Sequence, residues 1–299
     1  MKKLTIKATL AALMAQVIFG FSFMFTKIAL GYASVFTVIA DRYIIAFIAL
    51  TVFMLLNKTK FRLSKKIWKL VLMSLFQPIL YFLFESYGIK MTTSGFSSVM
   101  ISLIPVVSML SGIVFLKEIP SSLQYGFTAL SVLGVTVITL SSKADGAVSL
   151  LGILLLFGAV ISSVAYNIMS RKISNEFGPL ERTYAMTLIG LLVFVFISVI
   201  ENIHNPINVI LHFKDLSYTT AILYLGVVSS VIAFLLLNYA NTYLPVAKTT
   251  VFSNITTVIS VIAGILFLDE KFDALTVIST IMIVVGVWGV QVIDVKKKN

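Results

Sequence analysis

Four ionisable side chains interrupt apolar sequence where a charge is costly: Lys27, Asp41, Arg42 and Glu85. A carboxylate in such a place can carry a proton or neutralise a cationic solute, and a guanidinium can hold a carboxylate or close an ion pair. Two readings stay open. Arg42 can pair with Asp41 or Glu85 as a structural closure. Alternatively, Asp41 or Glu85 is a proton carrier or counter-charge. Asp41, Arg42 and Glu85 are therefore the candidates for proton coupling or a gate. Around them polar residues recur at helical spacing. Gln16, Gly20, Phe23 and Lys27 share a face, as do Gln77, Tyr81 and Glu85. Ser98, Ser102 and Pro105 align, as do Ser163, Asn167 and Ser170 beside Tyr166, and Ser230, Phe234, Asn238 and Asn241. The candidate solute-binding set is Gln16, Phe23, Tyr81, Glu85, Ser98, Tyr166, Asn167, Asn238, Asn241 and Asn254.

Each stripe also has a plainer reading. Serine and threonine hydroxyls often bond the preceding turn or let helices approach closely. An amide has four hydrogen-bonding sites to satisfy and makes a stronger case for a cavity wall. Phe23, Tyr81, Phe84, Tyr166 and Tyr239 could surround an ammonium group. No apolar run holds the arginine pair that a phosphate or dicarboxylate invites, so a cation or zwitterion is favoured over an anion. Catalysis would need a paired carboxylate, a Ser/His pair or a metal cluster at one depth, and only Asp41 and Glu85 come near that. The chain has no cysteine, and its two histidines, His204 and His212, sit in one polar connection. There is no G-x-x-x-x-G-K-[ST] loop. No cofactor, metal or enzymatic activity is expected.

The elements that must position these residues follow from composition. The chain has 299 residues, of which 59% are hydrophobic and 12% charged, and its mean hydropathy is +1.04. Soluble domains are roughly a quarter charged. A bilayer forces backbone groups to pair internally, so long apolar runs become helices. The sequence predicts ten, over 8–31, 34–56, 67–89, 92–116, 122–142, 148–171, 179–200, 216–242, 246–268 and 273–293. The first run exceeds a signal-peptide core and contains Gln16, Ser22 and Lys27, so it is read as a retained helix. Lys and Arg fall 17 to 5 in favour of the side bearing the N-terminus, which puts both termini in the cytoplasm of a multi-pass cell-membrane protein. The net charge of +11 is thus a topology signal and not a nucleic-acid footprint. Pro78 and Pro105 lie mid-span, where proline kinks a helix. Between Glu201 and Asp215, Val209, Ile210 and Phe213 could form an interfacial helix or a solvated loop.

An internal repeat organises the ten runs. Residues 99–135 laid on 251–287 match at 13 of 37 positions, with Gly112 on Gly264, Glu118 on Glu270 and Gly134 on Gly286. The same offset carries Ser98, Ser102 and Pro105 onto Thr250, Asn254 and Thr257. A weaker match sets Lys27 over Lys172. The halves are 1–145 and 146–299, with five helices each. Five is odd, so the second copy enters the membrane from the opposite side. The predicted fold is an all-α membrane protein of ten transmembrane helices in two inverted five-helix repeats, an arrangement typical of secondary transporters.

The Gly-x-x-Phe-Leu-x-Glu turns at Gly112–Glu118 and Gly264–Glu270, with 5+5 inverted halves, resemble the drug/metabolite transporter superfamily, specifically its EamA-type members. The resemblance covers essentially the whole chain. Phe19-Gly20 stands where family members usually carry Trp-Gly. The resemblance implies a central cavity lined by helices 1, 3, 4, 6, 8 and 9, with helices 5 and 10 peripheral or in a dimer contact. It implies secondary active transport of a small polar metabolite, an amino acid or related amine or zwitterion, by export and alternating access. The alternatives are a multidrug or organic-cation transporter of the same fold and a membrane protein without a solute. The expected partners are a small-molecule substrate, the lipid bilayer and protons. No nucleic acid is expected, and the chain acts as a monomer or homodimer.

Overall fold

The computed structural model describes residues 2–59, 66–116, 121–144, 148–204, 211–244, 249, 252–270 and 273–292. Among them ten helices follow in order. They are α1 (Lys2–Leu30), α2 (Val35–Leu56), α3 (Trp68–Lys90), α4 (in two pieces, Ser94–Ile101 and Ile104–Leu116), α5 (Ser122–Ala144), α6 (Leu150–Lys172), α7 (Pro179–Glu201), α8 (Leu216–Tyr243), α9 (Ser253–Leu268) and α10 (Ala274–Val292). Six of them (α1, α2, α3, α6, α7 and α8) are by length and apolarity long enough to cross a bilayer. Large apolar side chains such as Leu55, Leu56, Phe196 and Leu216 point outward, as they do where the solvent is lipid.

Local chemistry sets the helix ends. Ser34 starts α2 by accepting the Thr37 N–H, Thr93 starts α4 from the Phe96 N–H, and Ser149 starts α6 from the Gly152 N–H. At α7, Pro179 takes the first position and the Glu181 carboxylate reaches back to the Gly178 N–H at 2.8 Å. The breaks fall inside the spans. Pro78 drives the residue before it out of the helical region, and Gln77 lies at φ −146°, ψ 113° within a π-type stretch, Leu75–Leu80. In α4 the bend lies at Ser102 and Leu103, so Pro105 sits in the first turn of the second piece, where it is tolerated, and does not kink a continuous helix. The α8 helix carries a second π-type stretch, Tyr224–Ala233. Helix α9 is described from Ser253; of the predicted stretch before it, residues 246–248, 250 and 251 lie outside the described residues and Thr249 is helical. Val209 and Ile210 of the 201–215 connection lie outside the described residues, whereas Phe213 forms part of a short 3₁₀ turn, His212–Lys214.

The core lies between α1, α2, α3, α6, α7 and α8 around Tyr43, Tyr166, Phe194 and Phe234. Tyr43 stands edge-on to Phe82 and stacks on Phe194, and Phe234 meets Phe19, Phe82 and Tyr166 edge-on. Helix α1 packs on α8 and α9, α2 on α7, and α3 on α6. Helices α5 and α10 pack chiefly on one another. Their approach needs glycine: a Cβ at Gly134 would lie 2.7 Å from Ile283, and one at Gly286 would lie 2.7 Å from the Phe127 carbonyl.

Candidate functional site

Seven helices, the six expected from the resemblance and α2, meet around a central cavity of about 680 Å³, counting the open solvent at its edge. Gln16, Ser22 and Phe23 of α1, Arg42 of α2, Gln77, Tyr81, Phe82 and Glu85 of α3, Ile101 and Ile104 of α4, Ser163 and Asn167 of α6, Ser229 and Phe234 of α8 and Ser253 and Thr256 of α9 line it, joined by Thr249. Helical spacing accounts for the selection. Tyr81 and Glu85 present one face of α3, and Ser163 and Asn167 one face of α6. The extended Gln77 turns its side chain toward the cavity at the break in α3.

The charges are held by neutral groups. Arg42 donates from Nε to Ser230 Oγ at 2.6 Å and from Nη2 to Ser229 Oγ at 2.9 Å, while Ser22 donates to the same Ser229 oxygen at 2.8 Å. The guanidinium carbon sits 4.0 Å from the centre of the Phe82 ring, a cation–π contact. Glu85 accepts from the Tyr81 hydroxyl at 2.8 Å. The expected ion pairs of Arg42 with Asp41 or Glu85 do not form. The ion pairs among the described residues join Lys66 and Lys69 to Glu176. Asp41 instead accepts from the buried Tyr218 hydroxyl at 2.6 Å and lies apart from the cavity lining. Arg42 and Glu85 thus both border the cavity, each with hydrogen-bonding capacity beyond the contacts named.

Of the residues singled out from sequence, Gln16, Phe23, Tyr81, Glu85, Arg42 and Asn167 border the cavity. Gln16 accepts from Thr256 at 2.7 Å. Tyr166, Asn238, Asn241 and Ser98 are directed elsewhere. The Asn238 amide oxygen accepts from Tyr166 and Ser170, at 2.9 and 2.8 Å, and its nitrogen donates to Thr183 at 3.0 Å. Asn241 bridges Asn167 and Thr249, both at 3.0 Å, from behind the wall. The Ser98 hydroxyl donates to the Gly95 carbonyl of its own helix, and Thr257 donates to the Ser98 carbonyl at 3.1 Å, so this stripe joins α4 to α9. The side chain of Asn254 and all of Thr250 lie outside the described residues. Gly20 is a packing notch: a Cβ there would lie 2.7 Å from Ile259.

Two residues escaped the sequence reading. Ser253 lines the cavity, is buried, and its hydroxyl has no hydrogen-bond partner among the described residues. Arg182, one of the 17 Lys and Arg assigned to the N-terminal side in the orientation count and near the start of α7, is fully buried. It donates to the Ser170 carbonyl at 2.9 Å and hydroxyl at 2.6 Å, to the Asn238 carbonyl at 2.7 Å and to Thr242 Oγ1. It thereby ties the last turn of α6, where carbonyls lack intrahelical partners, to the Asn238 carbonyl near the end of α8. No cluster of three His, Cys, Asp or Glu that could hold a metal occurs among the described residues.

Comparison with known proteins adds the lineage. A family model described as "EamA-like transporter family" matches residues 6–140 and again 150–292. A Bacillus subtilis (strain 168) protein described as "Uncharacterized transporter YcxC" is 34% identical over 298 residues, covering 98% of this chain and 95% of its own. A second from the same organism, "Uncharacterized transporter YetK", is 27% identical, with 100% and 89% covered. A solved structure described as "Crystal structure of protein" superposes with a TM-score of 0.65 at 16% identity, covering 95% of this chain and 98% of that chain, and so shares its fold.

Proposed function

Because the chain belongs to the EamA-like transporter family and is a multi-pass membrane transporter, we propose that its central cavity takes a small zwitterionic metabolite of amino-acid size. The solute leaves the cell by alternating access. One observation carries the reading: the same cavity wall holds one guanidinium, Arg42, and one carboxylate, Glu85, which are not bonded to each other. Arg42 receives the solute carboxylate and Glu85 the ammonium group. Phe19, Phe82 and Phe234 provide the apolar part of the wall, and Ser253 offers an uncommitted hydroxyl. A solute with one charge would leave either Arg42 or Glu85 desolvated and unmatched, which is costly in a low-dielectric site. That cost weighs against the organic-cation alternative.

The family match in each half supports two repeats, 1–145 and 146–299. Their inversion, with both termini cytoplasmic, draws support from a correspondence of contacts. Lys27 near the end of α1 bonds the Ile89 carbonyl at the end of α3, and Arg171 near the end of α6 bonds the Asn241 carbonyl at the end of α8. Asp41, held only by Tyr218 among the described residues, is the proton-coupling candidate apart from the solute path. The experiment uses the protein in proteoliposomes and matched trios: an amino acid, its decarboxylated amine and its deaminated acid. The amino acid moves and its two fragments do not. Movement of the amine in preference to the amino acid refutes the zwitterion reading, and failure of every trio under either pH gradient refutes amino-acid transport.

A further inference from the structure

The cavity ends, toward the 91–93 turn, in an arrangement that the lining residues do not include. One helical turn beyond the cavity lining on three helices the side chains or backbone make polar contacts: Phe23 is followed by Lys27 on α1, Glu85 by Ile89 on α3 and Thr256 by Ser260 on α9. All three meet at the connection between α3 and α4. Lys27 Nζ donates to the Ile89 carbonyl at 2.8 Å, which also accepts from the Thr92 N–H at 3.3 Å, and to the Thr92 carbonyl, both at the end of α3. Glu270, just past α9, takes the start of α4: Oε1 accepts from the Ser94 N–H at 2.7 Å and the Ser94 hydroxyl at 2.8 Å, and Oε2 from the Gly95 N–H at 3.0 Å. Ser260 adds a bond to the Ser94 carbonyl at 3.3 Å.

The sequence builds this contact deliberately. After Leu268 the chain turns back through Asp269 in the left-handed region, φ 53°, and the Glu270 N–H closes on the Gly264 carbonyl at 3.1 Å. The Glu270 carboxylate then folds over Gly264, where a Cβ would lie 2.5 Å from Oε2. The Gly-to-Glu spacing of this turn therefore delivers a carboxylate to the start of another helix. Lys27 and Glu270 are only half-buried, so release would pass them to water. Arg182, fully buried against Ser170 and Asn238, has no such exit.

We propose that Glu270 and Lys27 form a releasable clasp on the α3–α4 connection that closes the cavity on the extracellular face, and that freeing Ser94 and Gly95 from Glu270 opens it there. The proposal rests on the cavity being the solute path. The chain lacks cysteine, so a single reporter reads accessibility without background. Ile104→Cys, on the cavity wall, is labelled with a membrane-impermeant maleimide in intact cells and in inverted vesicles. Adding Glu270→Ala removes the charge-assisted bonds and raises labelling in intact cells by about tenfold. Gly264→Ala, which displaces the carboxylate but keeps it, raises labelling in the same direction, and Glu270→Gln by less. Unchanged intact-cell labelling in variants that still elute as a single folded species overturns the clasp. Ile104→Cys labelled from neither side in any variant overturns the cavity reading beneath it.

Discussion

Replacing Arg182 by Met tests whether one buried cation holds the ends of two helices together. The perturbation keeps an unbranched side chain of similar length and removes every donor. The two hydroxyl partners keep other bonds: Ser170 Oγ still donates to Asn238, and Thr242 Oγ1 to the Asn238 carbonyl at 2.8 Å. The loss falls on the carbonyls. Ser170 loses its 2.9 Å acceptor contact in the last turn of α6, and Asn238 loses the charged partner at 2.7 Å. A charge-assisted bond contributes about 1.5–3 kcal/mol, and a buried carbonyl left without a donor costs about 1–3 kcal/mol. Non-additivity within one network places the total at about 2–4 kcal/mol. Arg182→Lys keeps the charge but cannot reach both helices with a planar fork, and it falls between the two. The measurement is equilibrium unfolding of the purified protein in mixed micelles. A loss for Arg182→Met below about 0.5 kcal/mol, the scatter of surface substitutions, refutes the argument.

Three further outcomes follow from contacts described above. Glu85→Gln weakens transport while leaving membrane insertion intact, because the amide fills the same space without the counter-charge. Full transport by that variant in proteoliposomes removes Glu85 from the mechanism. Ser253→Ala leaves thermal stability unchanged, since its hydroxyl bonds nothing among the described residues, yet lowers solute affinity by about fivefold, one ordinary hydrogen bond; a stability loss without an affinity change reverses that assignment. At the helix connection 173–178, the hydrogen bond from Lys69, joined by Lys66, holds the Glu176 carboxyl below the usual glutamate range. A lowered folded value stabilises above the unfolded value, about 4.3, and the benefit disappears as pH falls through the folded one. Melting curves of the protein and its Glu176→Gln variant should therefore separate near neutral pH and merge in acid, and a gap that persists in acid excludes Glu176 as its source.

Much of the scaffold was legible because span length and apolarity leave the backbone little choice in a bilayer. The break at Gln77 was legible in Pro78, and the Gly264–Glu270 spacing marked a turn before its partner was known. The site was legible by halves. Helical spacing finds a polar face, as at Gln16, Glu85 and Asn167, but it cannot say which partner that face meets. Tyr166 and Asn238 carry the right chemistry and satisfy one another across two helices. Arg42 was expected to meet a carboxylate, yet two serines nearly 190 positions away hold it. Arg182 was hidden for a different reason: a charge near a helix end counts equally toward orientation whether it faces water or the interior.

The seam between α5 and α10 has a mechanical meaning. Because each spends most of its contact surface on the other, with glycines pressing the backbones together, the proposed alternating access would move the remaining eight helices without breaking that seam. Under that proposal the pair is a keel beside the moving hull, and a poor place to attach any sensor meant to follow the stroke.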